Sequence, residues 1–249
     1  MSLLKAEKLQ KSYNQRLVVK GVDIYVKSGE IIGLLGRNGA GKTTTFQIIV
    51  GLIKPEEGAV FLDDKDISRY STPQRAREGI IYLPQENSVF LKTSVEKNLR
   101  MILELHYSDE EERTRIAERI LNELGLKDLA EQSAHSLSGG ERRRLEIGRS
   151  LVLKPKFLLL DEPFTGIDPL TVLELQKILT ELKDKGIGIV ISDHNVRDTF
   201  KIADRAYLID EGEILIEGDP REIASDETAR DRFLGKDFKL GGEVEPHLS

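Results

Sequence analysis

The chain has 249 residues, 39% hydrophobic and 32% charged, with a formal net charge of -6 and no cysteine. That balance excludes an intrinsically disordered chain and counts against a broad nucleic-acid surface, so no nucleic acid is expected as a partner. It also excludes disulfides, a thiol nucleophile and a thiolate metal site. No apolar run approaches the ~18 residues that span a bilayer, and the early charges at Lys5 and Glu7 do not read as a signal peptide.

In chain order, residues 3–9 and 17–26 alternate in polarity and predict half-buried antiparallel strands. The apolar run 30–35 predicts a buried strand, followed by a glycine-rich loop and a helix from 45 to about 50, ending near Gly51. Residues 59–62 read as a short strand with a turn at Asp63-Asp64, 71–78 as a helix with Pro73 in its first turn, and 79–84 as a core strand. From about 87 to 153 strand signals vanish. Helices are expected over 94–105, from a Ser108/Glu111 capping box through 124, and over 139–153, with Asp109 to Glu112 as a solvated first turn. The α/β pattern returns with a strand at 157–161, a helix opened by Asp168-Pro169 and running to 185, and a strand at 187–192. Residues 205–209 and 213–217 form a hairpin signal across Asp210-Glu211-Gly212, and helical segments at 220–224 and 226–234 follow. The pattern is α/β with an all-helical insert.

The stretch Gly36-Arg37-Asn38-Gly39-Ala40-Gly41-Lys42-Thr43-Thr44 fits the phosphate-binding loop, and it lies between a predicted strand and a predicted helix, as that loop requires. Its glycines let backbone N–H groups turn onto an anion at a helix N-terminus. Lys42 is expected to serve the β- and γ-phosphates, and the Thr43 hydroxyl to ligate Mg²⁺. Asp161 and Glu162 end a buried strand, where ligands of open α/β sheets bind. Asp161 is assigned to Mg²⁺, and Glu162 to orienting and deprotonating the attacking water. Leu137-Ser138-Gly139-Gly140-Glu141 combines a capping box with two glycines, making either a second anion-binding helix start or a structural cap. Arg142-Arg143-Arg144 reads as an ordinary solvated face. Taken alone, Tyr13, Gln85 and His194 carry little: each is placed near a strand end or in a loop, and each has an equally good structural reading.

Together, in this order, these residues resemble the ATP-binding-cassette ATPases over about residues 3–240. The resemblance implies a P-loop NTPase with a RecA-like core at 1–86 and 154–240, an antiparallel β segment, and a helical subdomain at about 87–153. The tail 241–249 is expected to be mobile. It implies ATP and Mg²⁺ as cofactors, with Tyr13 as the adenine-stacking aromatic and His194 at the γ-phosphate. Gln85 would link Mg²⁺ and water to the transport partner, and Asp168 would touch a second subunit. It further implies a homodimer in the ATP-bound state, each ATP held by Arg37 to Thr44 of one chain and Ser138 to Glu141 of the other. Transmembrane permease subunits would dock near Gln85 and Phe90, on the cytoplasmic face of an inner membrane.

A narrower resemblance is to the lipopolysaccharide-export branch. It is carried by Ser88-Val89-Phe90, Pro163 to Pro169, Asp193 to Arg197 and Phe233 to Leu240. Arg37 stands where that branch usually has proline, and the chain continues past Leu240. Two other readings are a branched-chain amino-acid importer and a soluble cassette ATPase acting on DNA or ribosomes. The single cassette and short insert count against the latter. A nucleotide-binding module without turnover is expected to lack Glu162 or His194, and this chain has both.

Overall fold

The computed structural model describes residues 1–86, 88–235, 238 and 240. Strands β1 (Leu3–Tyr13) and β2 (Arg16–Lys27) pair antiparallel across a two-residue turn, where Asn14 and Gln15 both take positive φ. Tyr13 therefore ends a strand and does not lie in a loop. After β3 (Ile31–Leu35) comes α1 (Lys42–Ile49), then β4 (Glu57–Leu62) and β5 (Lys65–Asp66). Helix α2 (Thr72–Arg77) is capped by Ser71 and leads to β6 (Ile80–Leu83).

The helical stretch follows. Helix α3 (Val95–His106) is capped by Ser94. In α4 (Glu110–Glu123) the cap is Asp109, whose carboxylate accepts the Glu112 N–H at 2.9 Å, not the expected Ser108. Asp109 places an acceptor three residues before a first-turn amide and adds a negative charge at the positive end of the helix, and both favour it over the hydroxyl one residue earlier. The first turn is solvated as expected, with Asp109, Glu110 and Glu111 exposed, and Glu110 also pairs with Arg100 and Arg113 at the surface. Helix α5 (Gly139–Leu151) completes the stretch.

The α/β pattern resumes with β7 (Phe157–Asp161), α6 (Pro169–Asp184) and β8 (Gly188–Asp193). A short helix, α7 (Val196–Phe200), was not legible in the sequence. The hairpin of β9 (Arg205–Asp210) and β10 (Glu213–Gly218) turns through Glu211 and Gly212, both at positive φ. Helices α8 (Pro220–Ser225) and α9 (Glu227–Ala229) follow, continued by a turn of π-helix at Arg230–Leu234. The 241–249 tail lies outside the described residues.

Six strands form one sheet in the order β10-β9-β3-β8-β7-β6, parallel except for β10. A second, antiparallel sheet has the order β2-β1-β4-β5. Strands β3, β7 and β8 are buried along their whole length, as a sheet covered on both faces requires. Alternation along one strand assigns the layers: Leu158 and Leu160 pack with helices α3 to α6, while Phe157 and Leu159 pack with α1 and the antiparallel sheet. The carboxyl ends of β3, β7 and β8 therefore open at one edge, the place for a ligand in such a sheet. Among the described residues no helix is long and apolar enough to cross a membrane.

Candidate functional site

The loop leaving β3 is pressed against its neighbours. A Cβ at Gly36 would lie 2.4 Å from the Ile209 carbonyl oxygen, and one at Gly41 would lie 2.8 Å from that of Val18. Gly41 also takes φ 105° as it opens α1, with no side-chain cap. The first amides of α1 are thus left for an external acceptor. Lys42 is buried, and its Nζ donates to the carbonyls of Gly36 (2.7 Å) and Arg37 (3.1 Å). Burial lowers its pKa from 10.5, opposed by the charges of Glu162, Asp161 and Asp193.

A cleft of about 320 Å³ is lined by Asn38, Gly39, Gly41, Lys42, Thr43 and Thr44 from this segment, Val18 from β2, and Gln85 and Glu162 from across it. Arg37 is exposed and Ala40 buried beside the cleft. Tyr13 is 43% exposed but does not line it.

Glu162 stands at φ 48°, its N–H donating to the Ser192 carbonyl at 2.6 Å. A left-handed glutamate is costly and persists only where its surroundings hold it. Its Oε2 accepts from Gln85 Nε2 (2.9 Å) and from Thr165 Oγ1 (3.2 Å), and lies 3.6 Å from His194 Nδ1. Gln85 and His194, which carried little meaning separately in the sequence, therefore converge on one carboxylate.

Asp161 is buried; its Oδ2 accepts from the Tyr82 hydroxyl at 3.1 Å, while Oδ1 is buried without a hydrogen-bond partner. A solitary carboxylate oxygen of this kind fits a hard divalent cation. Thr43 is exposed and lines the cleft, and the charge of Asp161 reaches Lys42 next to it, so the donor set suits Mg²⁺, which keeps few protein ligands and takes the rest from water and phosphate.

Sequence reasoning missed Asp193, although it ends a buried strand as Asp161 does. Fully buried, it accepts the N–H of Asn195 (2.8 Å) and of Phe164 (3.2 Å), joining the turn that carries His194 to the loop after Glu162. Burial raises its pKa. Arg143 is the other omission, and here the reading of a solvated arginine face is corrected. Its side chain is 9% exposed and pairs with Glu146 at 2.8 Å. The helical period turns it fully inward, while Arg142 and Arg144 are half-buried, Arg142 donating to the Leu137 carbonyl (3.1 Å) and Arg144 pairing with Glu174 (3.4 Å), and a run of three arginines conceals that from a composition-based reading.

Ser138 and Glu141 form the expected capping box: the Glu141 N–H donates to Ser138 Oγ (3.2 Å), and the Ser138 N–H donates to Glu141 Oε2 (2.8 Å). That backbone bond, foremost among its causes, holds the Glu141 carboxyl below its ordinary value. Ser138 and Gly139 are exposed, and none of Ser138, Gly139, Gly140 or Glu141 lines the Lys42 cleft. Gly140 has a structural duty besides, because a Cβ there would lie 1.9 Å from Thr171 Cγ2 on α6.

A family model described as ABC transporter matches residues 19–165. The chain belongs to the ABC transporter ATPase family. It is 49% identical, over 96% of its own length and 99% of the relative, to the lipopolysaccharide export system ATP-binding protein LptB of Acidithiobacillus ferridurans. It is 46% identical, over 96% of its length and all of the relative, to LptB of Escherichia coli K12. Among solved structures it resembles MJ1267, an ATP-binding cassette of an ABC transporter, with TM-score 0.86 and 30% identity over 94% of this chain and all of that one. A dimeric structure of the bacterial ABC transporter cassette MJ0796 matches with TM-score 0.77 and 26% identity, over 88% of this chain and 99% of that one. The chain is thus an ATP-binding subunit of an ABC transporter that hydrolyses ATP in step with transport, and cassettes of its kind form dimers.

Proposed function

We propose that this subunit powers lipopolysaccharide export, working as a homodimer with ATP bound and seated on transmembrane permease subunits at the cytoplasmic face of the inner membrane. The observation that carries the cargo is the near-half identity to LptB proteins along nearly the whole of both chains. The core would comprise 1–86 and 154–240 and the helical subdomain about 87–153. Phe90 supports the docking site: it is 47% exposed, with the Arg149 guanidinium stacked 4.6 Å from its ring centroid, a rigid aromatic surface close in sequence to Gln85.

In the proposed mechanism, the amides of Asn38 to Thr44 and the Lys42 ammonium cradle the phosphates. Thr43 and Asp161 would hold Mg²⁺, with Gln85 alongside; the ion, when bound, neutralises charge developing on the phosphate oxygens. Glu162 orients the attacking water and takes its proton, and Gln85 and Thr165 fix the carboxylate by donating to it. His194 contacts the γ-phosphate from the side of the same carboxylate. Tyr13, at the exposed end of β1, stacks on the adenine. Ser138, Gly139, Gly140 and Glu141, being outside the cleft of their own chain, serve the nucleotide of the partner copy.

Pull-down of the tagged chain from its native membrane in detergent tests the cargo. Recovery with two similar membrane proteins bearing periplasmic β domains supports it. Recovery with small permeases and a periplasmic binding protein would assign it to nutrient import, and recovery with ribosomes or DNA alone would remove the transporter.

A further inference from the structure

Helix α5 carries a charged pair in a place where charge is expensive. The side chains of Arg143 and Glu146 are 9% and 2% exposed. A buried ion pair contributes little to stability beyond what two packed apolar side chains would give, so its remaining hydrogen bonds indicate its use. Arg143 Nη1, besides pairing with Glu146, donates to the Pro84 carbonyl at 3.1 Å, and Nη2 donates to the Asp161 carbonyl at 3.2 Å. Glu146 Oε1 accepts the Ser88 N–H at 2.7 Å. One pair thus grips the backbone on both sides of Gln85 and also the carbonyl of the peptide that leads into Glu162.

That peptide is held from both ends. Its carbonyl, on Asp161, accepts from Arg143, and its N–H, on Glu162, donates to Ser192 at 2.6 Å. A peptide group is planar, so fixing both dipoles fixes the direction in which the left-handed Glu162 leaves the strand. Arg143 lies in the second turn of α5, whose first turn is the exposed Ser138 cap.

We infer that the Arg143–Glu146 pair is a positioning device, through which the placement of α5 sets the geometry of Gln85 and Glu162 together. Neither side chain lines the Lys42 cleft, and Lys42 bonds only to its own loop, so the pair governs turnover and leaves ATP capture alone. The inference rests on the roles proposed for Gln85 and Glu162.

The test compares Arg143→Met, Glu146→Leu and the double variant in the full chain, measuring Tm, affinity for a fluorescent ATP analogue, and steady-state ATPase activity. Each single variant strands a buried charge and lowers Tm. The double variant removes both charges and regains most of it. For a positioning role, the double variant still turns over about tenfold or more slowly, with analogue affinity within about twofold of wild type. A double variant of normal kcat, or one losing affinity and kcat in equal measure, would overturn the inference. Arg143→Lys covers the case in which the double variant does not fold. It keeps the charge but cannot reach the Pro84 and Asp161 carbonyls with a planar fork, so it folds and loses kcat; normal kcat there also overturns the pair's role. Measuring Glu162→Gln alone beside the double variant separates this inference from the reading beneath it. If Glu162→Gln alone is fully active, the Glu162 role fails. If it is inactive and the double variant is normal, only the positioning role fails.

Discussion

Gly140 offers a sharp test of how α5 and α6 meet. In Gly140→Ala the new methyl would fall 1.9 Å from Thr171 Cγ2 and 3.1 Å from Thr171 Cβ. Thr171 cannot simply rotate away, because its hydroxyl donates to Asp168 Oδ2 at 2.5 Å, and the other oxygen of Asp168 caps α6 through the Leu170 and Thr171 amides. At 1.9 Å the contact belongs in the upper part of the range for overpacking, about 2–3 kcal/mol. Replacing glycine by alanine in a helix returns roughly 0.5–1 kcal/mol, so the clash wins by about 1–2.5 kcal/mol. For a chain of this size that lowers Tm by about 2–10 °C in differential scanning calorimetry. Thr171→Ser deletes the clashing methyl while keeping the hydroxyl that bonds Asp168, so Gly140→Ala/Thr171→Ser should recover about half or more of the loss. A Tm unmoved by Gly140→Ala, or a loss that Thr171→Ser leaves intact, would refute the claim that Gly140 is needed for helix contact and leave it only an anion-facing role.

Three further outcomes are expected. Glu162→Gln should bind ATP and dimerise stably while turnover falls by about 10² to 10⁴; wild-type-like hydrolysis would remove Glu162 from its role. Lys42 has a depressed pKa in the free protein, and incoming phosphate charge raises it, so bound protein holds more protons than free protein. Affinity should therefore fall as pH rises through the depressed value toward 10.5, with proton uptake measurable by calorimetry in buffers of different ionisation enthalpy. Proton release, or an affinity flat with pH over that window, would contradict it. Asp109→Ala should cost about 1 kcal/mol, whereas Ser108→Ala should leave Tm unchanged; the reverse order would restore Ser108 as the cap of α4.

What was legible in the sequence is what neighbouring residues decide among themselves. The spacing from Gly36 to Thr43, the Asp168-Pro169 helix start and the Ser138/Glu141 box each depend on dihedral freedom and hydrogen bonds within a turn or two, and each stands where its spelling placed it. Asp161 and Glu162 were legible because an apolar run that stops at two acids marks the end of a buried strand. One local competition, between Ser108 and Asp109, was decided the other way, since two adjacent residues both fit the capping pattern.

Tertiary structure decided the rest, because those contacts join residues far apart in the chain. The sheet order β10-β9-β3-β8-β7-β6 arises from parallel pairings that no short window contains. Gln85 and His194 meet Glu162 only when the ends of three strands are brought to one edge. Asp193 ends a buried strand as Asp161 does, and only its bond to the Phe164 amide, across to the loop after Glu162, needed the tertiary structure. Whether an arginine in a run of three faces water or a buried carboxylate depends on what packs over its helix, and at Arg143 that is the backbone on either side of Gln85 together with the end of β7.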